Sequence, residues 1–348
     1  QILYKLRFEH GFYGYIHCKS IPGADRRLVE IAGRLADRMS INIELPTEAS
    51  LKEMAPQKKK DLIFDSMKYV KHRILDDSSG GKRLLSGGNG AAMLESSAGM
   101  PFPTQYNDDK ALLYMNNSAF NAFDIMPDTF DKTYGGKKRR FIPAGQSTQV
   151  IVGATEDTDS VILRLSEALY KKMMMKRVYY SAYIAVNDDS KLPAVNTPPP
   201  LLREHRLYQA DWLLRFYGFS ADEILEGSDG NLGLDYDPKC EWALRHIDLF
   251  PVEINRADYQ MLLRVPGIGV KSAKRIISAR RLASLGFDEI KRLGVVMKRA
   301  QFFITCRGRS LGKIYMEPDF IKANLSFDER SPKAAPSYTR LSLFDNAI

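Results

Sequence analysis

Residues 254–281 read INRADYQMLLRVPGIGVKSAKRIISARR, and this stretch predicts two helices joined by a tight turn. Apolar residues recur at helical spacing on both sides of the central PGIG sequence at 266–269. They are Leu262, Leu263 and Val265 before the turn and Ala273, Ile276 and Ile277 after it. Gly267 and Gly269 permit backbone conformations that are costly for other residues. The pattern predicts a helix-hairpin-helix in which Ile268 fills the apolar space between the helices.

The positive charge of the chain is concentrated around this stretch. The 348 residues carry 51 Lys and Arg against 42 Asp and Glu, which is a net charge of +9. Residues 251–313 hold 14 of the bases and four of the acids, so this segment is +10 and the remainder of the chain is −1. A solvated helical face is the ordinary meaning of a charge run, but so uneven a balance favours a site for a polyanion.

The predicted hairpin offers the groups that bind a phosphate. Its glycines let the backbone approach a phosphate closely, and the second helix presents free N–H groups and the positive end of its dipole. A turn that uses Pro and Gly for geometry alone needs neither the adjacent positive charges nor the small Ala273. The residues expected to bind DNA are Gly267, Ile268, Gly269, Lys271, Lys274 and Arg275.

A second, weaker copy of the pattern follows in residues 287–304 (FDEIKRLGVVMKRAQFFI). Its hairpin is expected at 293–295 and lacks a second glycine. Two packed copies would contact one strand of a duplex each, and such phosphate contacts carry no sequence information. A DNA glycosylase of the helix-hairpin-helix class is an alternative, since Asp288 lies about twenty residues past the hairpin, where these enzymes carry a catalytic Asp. Asp288 equally fits the first turn of the next helix, where an acidic residue is favoured.

The first two hundred residues alternate between strand and helix patterns. Strand patterns lie at 13–19, 38–45, 148–154 and 177–186, and helix patterns at 2–12, 25–36 and 158–173. This alternation indicates a parallel sheet with crossover helices. The predicted fold class is therefore α/β, followed by a small all-α helix-hairpin-helix domain.

Shifts in composition predict the domain organisation. Residues 78–136 are rich in Gly, Ser and Asn and break the alternation, so we expect a mobile insertion there. Three prolines at 198–200 close the first domain. The predicted parts are a first domain at 1–200, a helical connector at 201–250, the helix-hairpin-helix unit at 251–306 and a flexible tail at 307–348.

Composition also excludes several classes of protein. The sequence has no uninterrupted apolar run long enough for a membrane-spanning helix. The three cysteines, at positions 18, 240 and 306, match no disulfide framework and no metal-binding spacing. A lone Cys18 is therefore expected to have no metal role. A reducing, cytoplasmic setting fits this use of cysteine.

Seven stretches of the chain resemble the DNA modification/repair radical SAM proteins. They are GYIHCKSIPGA (14–24), DRMSINIELPTE (37–48), PAGQSTQVIVGATEDTD (143–159), KRVYYSAYIAV (176–186), LLREHRLYQADWLLRFYGF (201–219), DPKCEWALRH (237–246) and FPVEINRADYQMLLRVPGIG (250–269). The resemblance implies a partial parallel (β/α) barrel of the radical SAM type, which binds S-adenosylmethionine and a [4Fe–4S] cluster. It also implies a C-terminal helix-hairpin-helix unit and a uracil-DNA-glycosylase-like protein as a partner.

The sequence departs from this family at the cysteines that bind the [4Fe–4S] cluster. The family holds its cluster in a CxxxCxxC loop after the first strand, and this sequence has no such motif. The four predicted strands would be the last four of a six-stranded barrel. The cluster ligands are therefore expected upstream of Gln1, in a chain that is N-terminally incomplete.

Cofactor-binding residues are expected at the carboxyl ends of the predicted strands, where sites of such barrels lie. Asn42 and Glu44 alternate with apolar residues and suit the ribose hydroxyls and amino group of S-adenosylmethionine; an ordinary polar strand face is the alternative. The resemblance adds a signature close to GxIxGxxE, in which Ile151 would pack on adenine while the remaining positions shape the strand end. Its positions are Gln149, Ile151, Gly153 and Glu156. Substrate-side candidates are His17, Lys19, Tyr180 and Tyr183.

The last residues contain a short apolar motif, RLSLF at 340–344. It resembles the QLSLF peptide by which bacterial replication and repair proteins bind the sliding clamp. Leu343 and Phe344 would fill an apolar pocket of the clamp, and Leu341 would rest at its rim. A tail that folds back on its own barrel through the same residues is the alternative.

Together these patterns predict a radical SAM enzyme of DNA modification or repair. The resemblance implies that it generates a 5′-deoxyadenosyl radical, and the basic segment directs it to double-stranded DNA without sequence preference. The alternative from another class is a non-catalytic DNA-binding adaptor.

Overall fold

The structure is a computed structural model, and it describes residues 1–78, 139–186, 188–311 and 318–329. The predicted insertion beyond its first residue lies outside these residues, and so do the predicted clamp-binding residues Leu341, Leu343 and Phe344. The strands are β1 (His17–Lys19), β2 (Arg38–Ser40), β3 (Gln146–Val152), β4 (Met175–Ala182), β5 (Val252–Glu253) and β6 (Ile304–Thr305).

The helices fall between these strands and after them. In the sheet region they are α1 (Ile2–Tyr4), a π-helical turn (Lys5–Glu9), α2 (Arg26–Leu35), α3 (Glu48–Met54), α4 (Lys60–Ser78) and α5 (Asp159–Met173). After β4 they are α6 (Leu201–Phe216), α7 (Ala221–Leu225), α8 (Pro238–Arg245), a 3₁₀ turn (Ile247–Leu249), α9 (Tyr259–Arg264), α10 (Val270–Ala279), α11 (Phe287–Arg292), α12 (Met297–Ala300) and α13 (Pro318–Glu329).

The first four strands form one parallel sheet in the order β1-β2-β3-β4. Register is set by pairs such as Cys18 with Met39 and Met39 with Gln146. The α/β class and the parallel sheet predicted from the alternation are thus confirmed. The short strands β5 and β6 form a separate parallel pair.

Strand β2 is shorter than its sequence pattern predicts, because a bulge interrupts it. The N–H of Ile41 donates to the Ser147 carbonyl (3.2 Å), as a regular ladder requires. The N–H of Ile43 then donates to the Thr148 side-chain oxygen (3.0 Å) and not to a main-chain carbonyl. The Gln149 carbonyl, which is next in the ladder, accepts the N–H of Glu44 instead (2.9 Å). One extra residue has entered this strand, and Glu44 takes a left-handed backbone with φ of 67°. The predicted alternation over 38–45 is therefore wrong beyond Ser40.

The helix after β1 begins and packs as its sequence indicates. The Asp25 carboxylate accepts the N–H groups of Arg27 (2.7 Å) and Leu28 (3.3 Å), as the side chain of an N-cap residue does at a helix start. A Cβ at Gly33 would lie 2.0 Å from the Phe141 ring, so only glycine allows this close packing of α2. The predicted N-cap is confirmed.

The described residues divide into two compact units. The first contains residues within 1–44, 55–149 and 172–177, and the second contains residues within 45–54, 150–171 and 178–348. Residue 200, the predicted end of the first domain, is not a limit of either unit.

The tail predicted as flexible at 307–348 contains one described helix, α13. Helix α13 buries Ile321 and Leu325, which are four residues apart and so share one face of the helix. The Tyr236 hydroxyl, in the same compact unit, donates to the Lys322 carbonyl.

Among the described helices, none is both long enough and apolar enough to cross a bilayer.

Candidate nucleic-acid interface

The first hairpin, residues 259–279, consists of α9, a tight turn and α10. The Asp258 carboxylate caps α9 by accepting the Met261 N–H at 2.7 Å. Gly267 has φ of 84°, and a Cβ there would lie 2.5 Å from the Val296 carbonyl oxygen. Gly269 has φ of −97°, an extended backbone that other residues adopt freely. Of the two predicted special conformations, only that of Gly267 is present.

The helices of the first hairpin close around Ile268, which is 1 % exposed. Its role as the apolar plug of the turn is therefore confirmed. Leu262 and Leu263 from α9 are buried with it, as are Ala273 and Ile276 from α10. The small Ala273 is fully buried, which explains why a residue without a bulky side chain stands there.

The second hairpin, residues 287–300, repeats the first at a spacing of 27 residues. Gly294 has φ of 93° and takes the place of Gly267. Val295 and Ala300 are buried like their counterparts Ile268 and Ala273. The weak second copy in the sequence is thus a real turn between two helices.

Hydrogen bonds fix the two turns side by side. The Val296 N–H donates to the Gly267 carbonyl at 3.0 Å. The Ser272 hydroxyl, in the first turn of α10, donates to the Gly294 carbonyl at 2.8 Å. The close approach of Val296 is also the reason that Gly267 has no room for a side chain.

Basic side chains surround the paired turns. Lys271, Lys274 and Arg275 on α10 are all exposed, and the Arg275 guanidinium donates to the Leu293 carbonyl (3.3 Å). Lys291, Arg292 and Lys298 of the second hairpin are also exposed. The six residues predicted to bind DNA therefore lie together, five of them with a surface that solvent reaches and Ile268 beneath them.

A tyrosine that sequence reasoning did not single out lies beside the start of α10. The Tyr217 hydroxyl is near the N–H of Val270, the first residue of α10, and near the indole N–H of Trp212, and both N–H groups act to lower its pKa. Burial raises the pKa of this hydroxyl, so it stays protonated at neutral pH. Tyr217 thus places a polar group close to the free N–H groups of this helix terminus.

A buried lysine supports the same turn. Lys239 is 8 % exposed, its ammonium nitrogen lies 2.6 Å from the Ile268 carbonyl oxygen, and it also lies over the Tyr217 ring. Burial lowers the pKa of Lys239 to about 7, although the nearby Asp237 carboxylate acts in the opposite direction. The buried amine therefore loses its proton far more readily than an exposed lysine does.

The predicted cofactor residues are partly brought together at the end of the sheet. The Asn42 amide donates to the Gln149 side-chain oxygen at 3.2 Å. The Glu44 carboxylate accepts from Lys58 (3.2 Å) and Lys19 (3.5 Å), so two cations neutralise it. Asn42 is buried together with both neighbouring isoleucines, so the predicted separation of polar and apolar faces is absent here.

The other predicted cofactor residues, Ile151, Gly153 and Glu156, follow on β3 and the loop after it. Gly153 has φ of 82°, and a Cβ there would meet the Pro200 ring at 2.6 Å, so glycine is required. Ile151 is half-buried and Glu156 is exposed. Asp157 is the residue whose carboxylate makes hydrogen bonds in this loop. It accepts hydrogen bonds from the hydroxyls of Ser50 and Thr155, at 2.6 Å each.

Of the substrate-side candidates, Tyr180 belongs to the core. Its ring is 2 % exposed, and its hydroxyl bonds the Ser166 hydroxyl at 2.9 Å and the Asp211 carboxylate at 3.4 Å. His17 contacts Ser147, and burial lowers its pKa, with the Arg38 charge acting in the same direction. His17 is therefore neutral at physiological pH.

The residues that the structure describes do not form a site for an iron–sulfur cluster. Within the described parts of the chain, no three His, Cys, Asp or Glu side chains gather as metal ligands would. All three cysteines are free thiols, and burial raises the pKa of Cys18, which disfavours the thiolate that binds iron.

Comparison with known proteins yields no relative. No family model, no curated protein and no solved structure matches this chain. The function has to be inferred from the residues and their geometry.

Proposed function

We propose that the two hairpins are a helix-hairpin-helix unit that binds the phosphate backbone of duplex DNA. The observation that carries this proposal is the pair of turns, each with a left-handed glycine, joined by the hydrogen bond from Val296 to Gly267. Exposed lysines and arginines follow both turns. Two such turns side by side can contact the two strands of a duplex.

Binding of this kind is electrostatic and independent of sequence. Each phosphate neutralised by Lys or Arg releases condensed counterions, so the affinity falls as salt rises. The +10 charge of residues 251–313, against −1 for the rest of the chain, supplies the required attraction. The proposed compartment is the cytoplasm, where the three free cysteines stay reduced.

The test is duplex binding measured at several salt concentrations. Lys271→Ala and Lys274→Ala should each lower the slope of log affinity against log salt by about one. Gly269→Ala should weaken binding to all sequences alike, because its backbone conformation tolerates alanine while the added methyl group keeps a phosphate away. Lys52→Ala, at an exposed lysine outside the hairpins, is the matched control and should leave the slope unchanged. Salt-insensitive binding would refute the proposal, and so would slopes for Lys271→Ala and Lys274→Ala equal to those of the wild type and Lys52→Ala.

The catalytic part of the proposal is radical SAM chemistry in DNA modification or repair. It rests on the parallel sheet and on the resemblance, with Asn42, Glu44 and Gln149 at the sheet end as cofactor-binding residues. Because the cluster ligands are not among the residues present, we derive no catalytic step. Calorimetric titration with S-adenosylmethionine tests the binding site, and Asn42→Ala and Glu44→Ala should weaken the affinity. Unchanged affinity in both variants would remove these residues from the site.

A non-catalytic DNA-binding adaptor is the second candidate, and the missing cluster motif favours it. Sequencing of the coding region before Gln1 separates the two. An in-frame CxxxCxxC supports the enzyme, whereas a start codon directly upstream supports the adaptor.

Two protein partners complete the proposal. One is a uracil-DNA-glycosylase-like protein, from the resemblance, and the other is the bacterial sliding clamp, from residues 340–344. A labelled peptide of residues 336–348 should bind purified clamp with roughly micromolar affinity, and a Leu343→Ala, Phe344→Ala peptide should not. Equal binding by both peptides would leave the fold-back alternative.

A further inference from the structure

A cavity of about 700 Å³ opens beside the paired turns. The end of α6 forms one wall, and the turns of both hairpins form the other. Most of the lining is apolar, and its size lies within the range of sites for small organic groups. Gly267, Gly269 and Lys271 line this cavity and also belong to the proposed phosphate site.

Trp212 presents a large aromatic surface to this cavity. Its side chain is 52 % exposed, and its ring centroid lies 4.4 Å from that of Phe216, which is 43 % exposed. Its indole N–H is near the Tyr217 hydroxyl, and its ring packs against Phe216. A half-exposed indole backed by a second ring is a surface on which a flat aromatic group can stack.

The polar groups around the cavity identify the class of occupant. Lys271 is exposed at its edge, and the Arg299 guanidinium also lines it while pairing with Asp237 at 2.6 Å. The whole segment is strongly positive. An aromatic group attached to a negatively charged backbone complements both features, and a nucleobase on its phosphodiester strand is such a group.

We propose that this cavity binds one unpaired base of the DNA strand whose phosphates contact the first hairpin, with the base stacked on Trp212. This inference rests on the proposed duplex binding and extends it to the kind of DNA that is preferred. Fully paired duplex keeps its bases stacked inside the helix, so it would use the hairpins alone. A bulged or otherwise unpaired base is free to leave the stack at low cost and enter the cavity.

The test compares a fully paired duplex with the same duplex carrying one extra, unpaired adenine. The wild-type chain should bind the bulged duplex more tightly. Trp212→Ala should lower affinity for the bulged duplex by about 5- to 150-fold and leave affinity for the paired duplex unchanged. Trp212→Phe should retain most of the preference, since it keeps an aromatic face. Leu282→Ala, at a 91 % exposed apolar residue outside the cavity, is the matched control and should keep both affinities.

Fluorescence provides a second readout that does not depend on a truncated side chain. The chain has two tryptophans, and Trp242 is 3 % exposed, so Trp242→Phe leaves Trp212 as the only tryptophan. Bulged duplex should quench this emission more strongly than paired duplex. Three results would overturn the inference: equal affinity for both duplexes, a preference for the bulged duplex that survives Trp212→Ala, or equal quenching of Trp212 emission by both duplexes. Loss of binding to both duplexes in the wild type would instead refute the proposed function.

Discussion

At the scale of single residues, the two glycines of the first hairpin have different physical roles. Gly267 takes a left-handed backbone and faces the Val296 carbonyl, whereas Gly269 has an extended backbone, and a Cβ there would make only an ordinary contact with the Tyr217 hydroxyl at 3.5 Å. We expect Gly267→Ala to destabilise the second unit by about 2 kcal/mol, because it adds both backbone strain and a clash with a main-chain atom. Gly269→Ala is the matched control. Chemical denaturation followed by tryptophan emission measures both, and equal midpoints for the two variants would contradict this assignment.

Lys239 makes stability depend on pH. Its pKa is about 7 in the folded chain and about 10.4 when unfolded. Between these values the unfolded chain binds the additional proton, so the free energy of unfolding rises with pH, by up to about 1.4 kcal/mol per pH unit. Below pH 7 the amine is charged in both states, and the full cost of burying the charge remains.

The comparison that isolates this effect is wild type against Lys239→Met between pH 6.5 and 9. The variant lacks the titrating amine, so the stability of the wild type relative to the variant should increase as pH rises. Urea denaturation at each pH measures that difference. A difference independent of pH would show that Lys239 stays charged in the folded chain.

At the scale of elements, sequence periodicity predicted regular structure where local rules decide it. The four strands, the Asp25 cap of α2 and the turn of the first hairpin all follow from alternation, capping and glycine placement. The bulge after Ser40 could not be predicted, because it depends on the Thr148 hydroxyl accepting an N–H from a residue about one hundred positions away in sequence. A threonine within a strand pattern does not by itself indicate that its hydroxyl will accept a main-chain N–H from the neighbouring strand.

The same reasoning explains what the sequence predicted of the candidate site. Spacing identified both turns, since each is built from residues close together in the chain. Trp212, Tyr217 and Lys239 reach the first hairpin from α6 and α8, and nothing in their local sequence indicates that packing. In the sequence they are one apolar, one aromatic and one basic position of amphipathic helices.

The N-terminus of α10 lies beside a polar group of another element. Gly269, the N-cap, has no side chain to accept an N–H, and the Tyr217 hydroxyl at the end of α6 is near the N–H of Val270. We expect Tyr217→Phe to lower the free energy of unfolding by up to about 1 kcal/mol, because it leaves this N–H without the nearby hydroxyl oxygen. Thermal unfolding measures the change. Tyr259→Phe, in the neighbouring helix α9, is the control, and an equal loss in both variants would contradict a specific role for Tyr217.

At the scale of the whole molecule, the positive charge is concentrated in one compact unit, while the predicted cofactor-binding residues are divided between the two. The +10 segment lies in the second compact unit together with Ile151, Gly153 and Glu156, while Asn42, Glu44 and Gln149 lie in the first. A protein that acts on DNA needs both a site that attracts the polyanion and a site for chemistry. The structure provides candidates for each, but the set of thiolates that the resemblance implies is absent from the sequence.

Reconstitution with iron and sulfide under anaerobic conditions tests that absence directly. A [4Fe–4S] cluster is held by several cysteine thiolates, and the three cysteines of this chain are separated by more than sixty residues each. Burial raises the pKa of Cys18 and also that of Cys240, and it raises the pKa of Cys306 to about 12, so all three favour the protonated thiol. We expect residues 1–348 to bind no stable cluster, as judged by visible absorbance and electron paramagnetic resonance after desalting. Cys18→Ser should give the same background signal. A stable cluster signal that Cys18→Ser abolishes would show that this thiol is a ligand after all and would require the other ligands to come from a second chain or from non-cysteine side chains.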